Sequence, residues 1–198
     1  PNSSQTQEAL GVIKDIYVEE GRSDDYVELM KKNGINVSVS EADSLSFATG
    51  EAKYNNGDCL SAIKSLTSYL SKYPSGSYEL NARYMISDCY RKNKEWSSAM
   101  EGYKKINESG PSPFFERATL DAARIQYFET KDYAQAKQYF ESLQSLSSNP
   151  EYTLEGMRGL VRCYYQLKDY TKASEAANVL LAANGISTDD RAISKLVL

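Results

Sequence analysis

Arg158 and Arg162 stand four residues apart, the spacing that places two side chains on one face of a helix. With Arg91 they offer planar guanidinium forks, which pair well with the carboxylates of an acidic segment. Four rings (Tyr54, Tyr84, Phe128 and Tyr165) and one acid, Asp88, join them as candidates. Rings with arginine are the composition enriched among residues that dominate protein–protein affinity. These eight residues are the candidate partner-binding set. The competing reading makes the arginines solvated charges on amphipathic helices.

Other chemistry finds less support. The chain of 198 residues has no histidine, the commonest general base and metal ligand, so a Ser-His-Asp or Cys-His site is impossible within it. Cys59, Cys89 and Cys163 match no CxxC or zinc spacing. Cys89 and Cys163 hold one slot two repeats apart. Stacked helices lie roughly 8–10 Å from each other, whereas disulfide Cα atoms lie within about 7 Å. Cys59 and Cys89 belong to adjacent repeats and come closer, but the expected role of all three is as small buried apolar residues. The acid pairs Asp24-Asp25 and Asp189-Asp190 read as helix N-termini, where the dipole favours carboxylates. Gly156-Met157-Arg158-Gly159 lies within a helical pattern and lacks the context of a phosphate loop. No catalytic, cofactor or metal site is expected, and the chain reads as a non-enzyme.

The elements that position the candidates follow from four alanines. Ala62, Ala99, Ala136 and Ala173 recur every 37 residues, and each closes a similar phrase: Gly57-Asp58-Cys59, Lys94-Glu95-Trp96, Lys131-Asp132-Tyr133 and Lys168-Asp169-Tyr170 open the four. Four residues after the alanines lie Leu66, Tyr103, Phe140 and Ala177, and seven after them Tyr69, Ile106, Leu143 and Leu180, one face of a helix. An upstream block in each unit has helical spacing of its own, so each repeat is a helix–turn–helix. A small residue at the fixed position lets the two helices approach closely. Pro74, Pro111 and Pro150 are expected to end the second helices. A fixed period of this length predicts a solenoid in which each unit buries its apolar face on its neighbours.

Gly57-Asp58…Ala62 and Cys163-Tyr164-Tyr165-Gln166-Leu167-Lys168-Asp169-Tyr170-Thr171-Lys172-Ala173 resemble the tetratricopeptide repeat, with alanine opening the second helix and proline closing it. The period exceeds the usual one of about 34 residues. The stretch from Tyr73-Pro74 to Cys89-Tyr90 is similar to long-repeat members from bacterial cell envelopes, with large envelope proteins of Bacteroidetes nearest overall. The resemblance implies an all-α, right-handed α-solenoid of stacked helix–turn–helix units, and an envelope or periplasmic location, with the cytoplasm as the alternative. It also implies that positions fifteen, eleven, eight and seven before each alanine line a concave face, and those positions supply the eight candidates. The carboxylate clamp of peptide-binding members, Lys and Asn at fifteen and eleven, is not matched by Phe47/Glu51 or Tyr84/Asp88. The family's small residue twelve before the alanine appears as Gly50 and Ser87, then as Arg124 and Val161, which points to altered packing in the last two units.

The organisation expected is a degenerate helix pair and link at 1–40, repeats at 41–76, 77–113, 114–150 and 151–187, and the first helix of a further repeat at 188–198. In the first segment Leu10, Ile13, Ile16 and Tyr17 make one face and Tyr26, Leu29 and Met30 the other, with Tyr26 in place of the alanine; Ser40 is the expected cap of the next helix. After Thr188, an apolar stripe of Ile193, Leu196, Val197 and Leu198 lacks a partner, which reads as an interior slice of a longer solenoid and predicts end-to-end self-association.

Charged residues are 25% and hydrophobic ones 41%, enough apolar surface for a folded chain. A net charge of −4 disfavours nucleic acid, and no apolar run reaches the ~20 residues that span a bilayer. The leading expectation is a non-catalytic scaffold that binds a partner protein or peptide. A structural spacer and, by fold analogy, an envelope glycan-binding module are the alternatives.

Overall fold

The computed structural model describes residues 4–198. In chain order the helices are α1 (Ser4–Glu19), α2 (Ser23–Lys32), α3 (Val39–Asn55), α4 (Cys59–Lys72), α5 (Glu79–Lys92), α6 (Trp96–Glu108), α7 (Phe115–Arg124), α8 (Tyr133–Leu146), α9 (Pro150–Gln166), α10 (Tyr170–Ala182) and α11 (Thr188–Val197). A π turn, Ile125–Glu129, continues α7. No strand occurs among the described residues. The architecture is an all-α one of stacked helix–turn–helix pairs, divided into two compact units, Pro1–Gly102 and Tyr103–Leu198. No helix among the described residues is long and apolar enough to cross a membrane.

Each turn between paired helices is built from the phrase that announces it. Gly57, Lys94, Lys131 and Lys168 all have positive φ, of 77°, 62°, 58° and 61°. The left-handed residue reverses the chain, and the acid that follows caps the next helix. Asp58, Asp132 and Asp169 accept hydrogen bonds from the backbone N–H groups of Ser61, Gln135 and Lys172, satisfying donors that α4, α8 and α10 leave free.

The alanine frame is the packing frame. Ala62, Ala99, Ala136 and Ala173 are wholly buried, as are Leu66, Tyr69, Tyr103, Ile106, Leu143 and Ala177. Burying a large apolar side chain contributes roughly 1.5–3 kcal/mol, so these slots carry most of the cohesion of each pair. Facing slots exchange volume. A Cβ on Gly50 would collide with Leu66. Ala123 shares a core cluster with Phe140, and Val161 shares one with Ala177. Val161 therefore does sit in the small-residue slot, and the fourth repeat accommodates it with an alanine where the others have Leu, Tyr or Phe.

Arg124 is different, and the π turn is the reason. The N–H of Thr130 bonds to the carbonyl of Ile125, five residues back, so one extra residue is taken up before the turn. Upstream of it, every slot of the third repeat shifts by one. Buried Ala123 takes the small-residue slot, and Arg124 is exposed and paired with Glu155 at 3.0 Å. Leu120, rather than Asp121, is the counterpart of buried Phe47 and Tyr84.

Other expectations change as well. Pro150 does not end α8; it is the first residue of α9, behind the cap Asn149, where its missing N–H costs nothing. The cap of α3 is Ser38, bonded to the N–H of Glu41, because the helix begins earlier than Ser40 implies. Cys59 and Cys89 are not reduced apolar residues: they form a disulfide, Cα–Cα 5.2 Å, between α4 and α5. Cys163 is the free, buried thiol.

Candidate functional site

α11 owes its position to one carboxylate. Ser187 and Asp190 form a reciprocal capping box at its N-terminus, and Asp190 also accepts two hydrogen bonds from Arg158 of α9, at 2.7 and 2.9 Å. The Arg158 hydrogen bonds, with those from Ser187, hold the Asp190 carboxyl down at about 2 despite its burial. From this anchor Ile193 and Val197 pack onto the cluster of Leu154, Val161, Ala177 and Leu180. The expected partnerless stripe is thus half partnered: Ile193 and Val197 face the core, while Leu196 is 83% exposed and Leu198 is exposed beside it.

Between α9, α11 and the π turn lies a cleft of about 350 Å³, lined by Tyr127, Val161, Arg162, Tyr165, Gln166, Ile193, Leu196 and Val197. Tyr127 is brought there by the π turn; its hydroxyl bonds to the Gln166 side chain, and burial pushes its pKa upward. Its ring meets Phe128 edge-on at 4.8 Å and Tyr133 at 5.3 Å. On the outer side Phe128 is 54% and Tyr165 49% exposed. Arg162 is the charged residue of the lining.

The eight candidates therefore divide. In the second unit Arg162 and Tyr165 line the cleft, and Phe128 adjoins it through Tyr127. Arg158 does receive a carboxylate, but from Asp190 and Glu155 of its own chain, so it holds α11 rather than facing a partner. In the first unit, Asp88 is buried to 1% and Tyr84 to 3% exposure, so the expectation that they line an open surface is corrected. Their slots point into the helix stack there. Burial alone would raise the Asp88 pKa, yet hydrogen bonds from Lys92, Tyr54 and Arg91 outweigh it and leave the carboxyl below its usual range. The Tyr54 hydroxyl donates at 2.7 Å, and Lys92 lies over its ring at 4.5 Å.

Sequence reasoning missed Tyr127, Val161, Gln166 and the α11 wall as site residues. Signals for three of these were present under other headings: Val161 in the slot twelve before the alanine, Gln166 seven before it, and the apolar stripe after Thr188. No group of acids and cysteines able to hold a metal ion occurs among the described residues.

The tetratricopeptide repeat family model matches residues 118–149. That match spans the third repeat, α7 to α8. Solved structures extend the likeness in fold to nearly the whole chain. MamA AMB-1 superposes with a TM-score of 0.60 at 13% identity, covering 94% of this chain and 97% of that one. BtubC (BKLC) from P. vanneervenii gives 0.54 at 17%, covering 96% and 81%. Nearly identical TPR-like repeats from Podosopora anserina give 0.54 at 14%, covering 92% and 96%. No curated protein matches the sequence. A tetratricopeptide fold suggests, in general terms, a scaffold for protein–protein interaction.

Proposed function

We propose that this tetratricopeptide protein is a non-catalytic scaffold that binds a partner protein or peptide in the cleft between α9 and α11. The observation that carries the reading is the lining itself: apolar walls, an exposed ring at Tyr165 and a guanidinium at Arg162 in one concavity. Concave, mostly apolar sites with a few convergent polar groups are the usual form of a binding site. The exposed rings Tyr165 and Tyr170 meet edge-on at 5.7 Å and 67°, which does not make the flat platform a sugar face requires and favours a protein partner over a glycan.

The test is a photo-crosslinking amino acid placed at Tyr165 and, as a control on another helix, at exposed Ser145. A discrete protein adduct from position 165 and none from 145 supports the scaffold. Equal labelling at both, or none at either, leaves a structural spacer as the better description.

Two finer points belong to the same reading. Exposed Leu196 and Leu198 favour self-association through residues 188–198, to be checked by sedimentation of the chain beside Leu196→Glu; an unchanged dimer sinks it. The Cys59–Cys89 disulfide favours an oxidising compartment, such as the bacterial envelope, over the cytoplasm.

A further inference from the structure

The arginines of the second unit's first helices differ in what they hold. Arg124 is paired with Glu155, and Arg158 with Asp190 and Glu155. Arg162, one turn beyond Arg158 and half-buried in the cleft wall, has no carboxylate partner among the described residues, and no acidic side chain lines the cleft with it. Its immediate lining is Tyr127, Val161 and Tyr165, with Ile193 and Leu196 opposite. A half-desolvated guanidinium with an unused fork favours a carboxylate strongly, because the surrounding apolar walls reduce the competition from water. The cleft volume of about 350 Å³ lies at the lower end of ligand sites, roughly 300–1,000 Å³. That suits one large side chain and its backbone rather than a helix.

We infer that the cleft recognises a short peptide segment in which a bulky apolar residue enters between Tyr127, Val161 and Ile193 while a neighbouring aspartate or glutamate pairs with Arg162. The inference rests on the scaffold reading above and adds the chemistry of the segment. Charge complementarity selects the acid, because the cleft presents a cation and no anion. The apolar walls select the side chain beside it. An unpaired acid in the partner is expected within two residues of the apolar anchor, since the Arg162 side chain and the pocket share one helix face.

The experiment uses the whole chain and an array of synthetic nonapeptides on a Gly-Ser background. The central residue is Phe, Leu or Ala, and each position up to two residues away carries Asp, Asn or Lys in turn. The expected result is retention of Phe or Leu peptides with a flanking Asp, bound about tenfold more tightly than their Asn counterparts, the size of one charge-assisted hydrogen bond. Arg162→Gln should erase the Asp-over-Asn difference and leave the Phe-over-Ala difference; Leu196→Ser should weaken the latter. Unchanged thermal melting shows that both variants fold.

An Asp preference that survives Arg162→Gln overturns the inference, as does binding indifferent to the central residue. If no peptide binds while the crosslinker at Tyr165 still yields a partner adduct, the segment chemistry falls and the scaffold stands. If both fail, both fall. A dimer that Leu196→Glu abolishes, with no peptide binding, puts a second copy in the cleft and also overturns the inference.

Discussion

In the first unit Tyr54, Asp88, Arg91 and Lys92 close on one another, whereas in the second Arg162 and Tyr165 line an open cleft and Phe128 lies exposed beside it. Both units are built on one alanine frame, so the frame does not decide which residues are free. The difference lies in what else fills the concave slots. In the first unit the eleven-before slot holds an acid, Asp88, and it collects every nearby donor. A second buried acid, Asp43, accepts from the Tyr69 hydroxyl at 2.7 Å and the N–H of Ser77 at 2.9 Å, tying α3, α4 and the loop before α5. In the fourth repeat that eleven-before slot holds Arg162, and the nearby acids are already bonded to Arg158. Single charges moved between equivalent positions thus close one stretch on itself and leave another open.

The largest expected effect separates the units by covalent chemistry. The Cys59–Cys89 bond closes a separation of 30 residues, and restricting the unfolded chain by that much contributes about 3–4 kcal/mol. Reduction, or Cys59→Ser/Cys89→Ser, should therefore lower amide protection in α3 to α5 and leave α8 to α10 unchanged by hydrogen exchange. Equal loss in both units would mean that they unfold as one. A second effect acts on the other unit alone. A Cβ added at Gly156 would lie 2.7 Å from the Gln144 nitrogen and 2.8 Å from the Phe140 carbonyl oxygen, so Gly156→Ala forces α9 away from α8. Overpacking of this kind costs roughly 1–3 kcal/mol, and denaturant melts should show it despite the better helix propensity of alanine.

How legible these differences are in the sequence depends on their range. The alanine period, the apolar residues four and seven beyond and the acid caps are local, and they are readable residue by residue. The π turn is not. Nothing in Ile125-Gln126-Tyr127-Phe128-Glu129 announces one extra residue, and only arginine in a slot that requires a small side chain hinted at a shift. The disulfide needed the approach of Cys59 at the start of α4 to Cys89 in α5, a distance that slot counting bounds only loosely. The site was half legible for the same reason. Arg162 and Tyr165 follow from the repeat frame, but the pairing of Arg158 with Asp190 joins a groove position to a helix cap, two features that sequence reading treats apart.

That pair gives the third prediction. Asp190 is held near pKa 2 against an ordinary 3.8, chiefly by its Arg158 hydrogen bonds. A depressed carboxyl stabilises the fold above its unfolded value, and the contribution disappears as pH falls. Here about 2 kcal/mol should be present above pH 4 and lost on descending to about pH 2. Asp88 in the first unit is lowered in the same direction, so acid weakens both units. The comparison sharpens with Asp190→Asn, which removes the acid-dependent step of the second unit only. Denaturant midpoints at pH 5 and pH 2.5 should then differ by less in the variant than in the parent; an equal difference would remove Asp190 from the account.

The smallest effect tests what the two units share. Lys94 in the first unit and Lys131 and Lys168 in the second occupy the left-handed position that Gly57 fills without cost. A side chain there is disfavoured by roughly 1–2 kcal/mol, partly offset because glycine loses more freedom on folding. Replacing each lysine with glycine should raise stability by about 0.5–1 kcal/mol, and Gly57→Ala should lower it by a similar amount. If the turn is only a linker, all three lysines respond alike, as the common slot predicts. A gain at Lys94 and Lys131 but a loss at Lys168, in the turn that directly follows Tyr165 and Gln166, would instead tie the Lys168 side chain to the cleft.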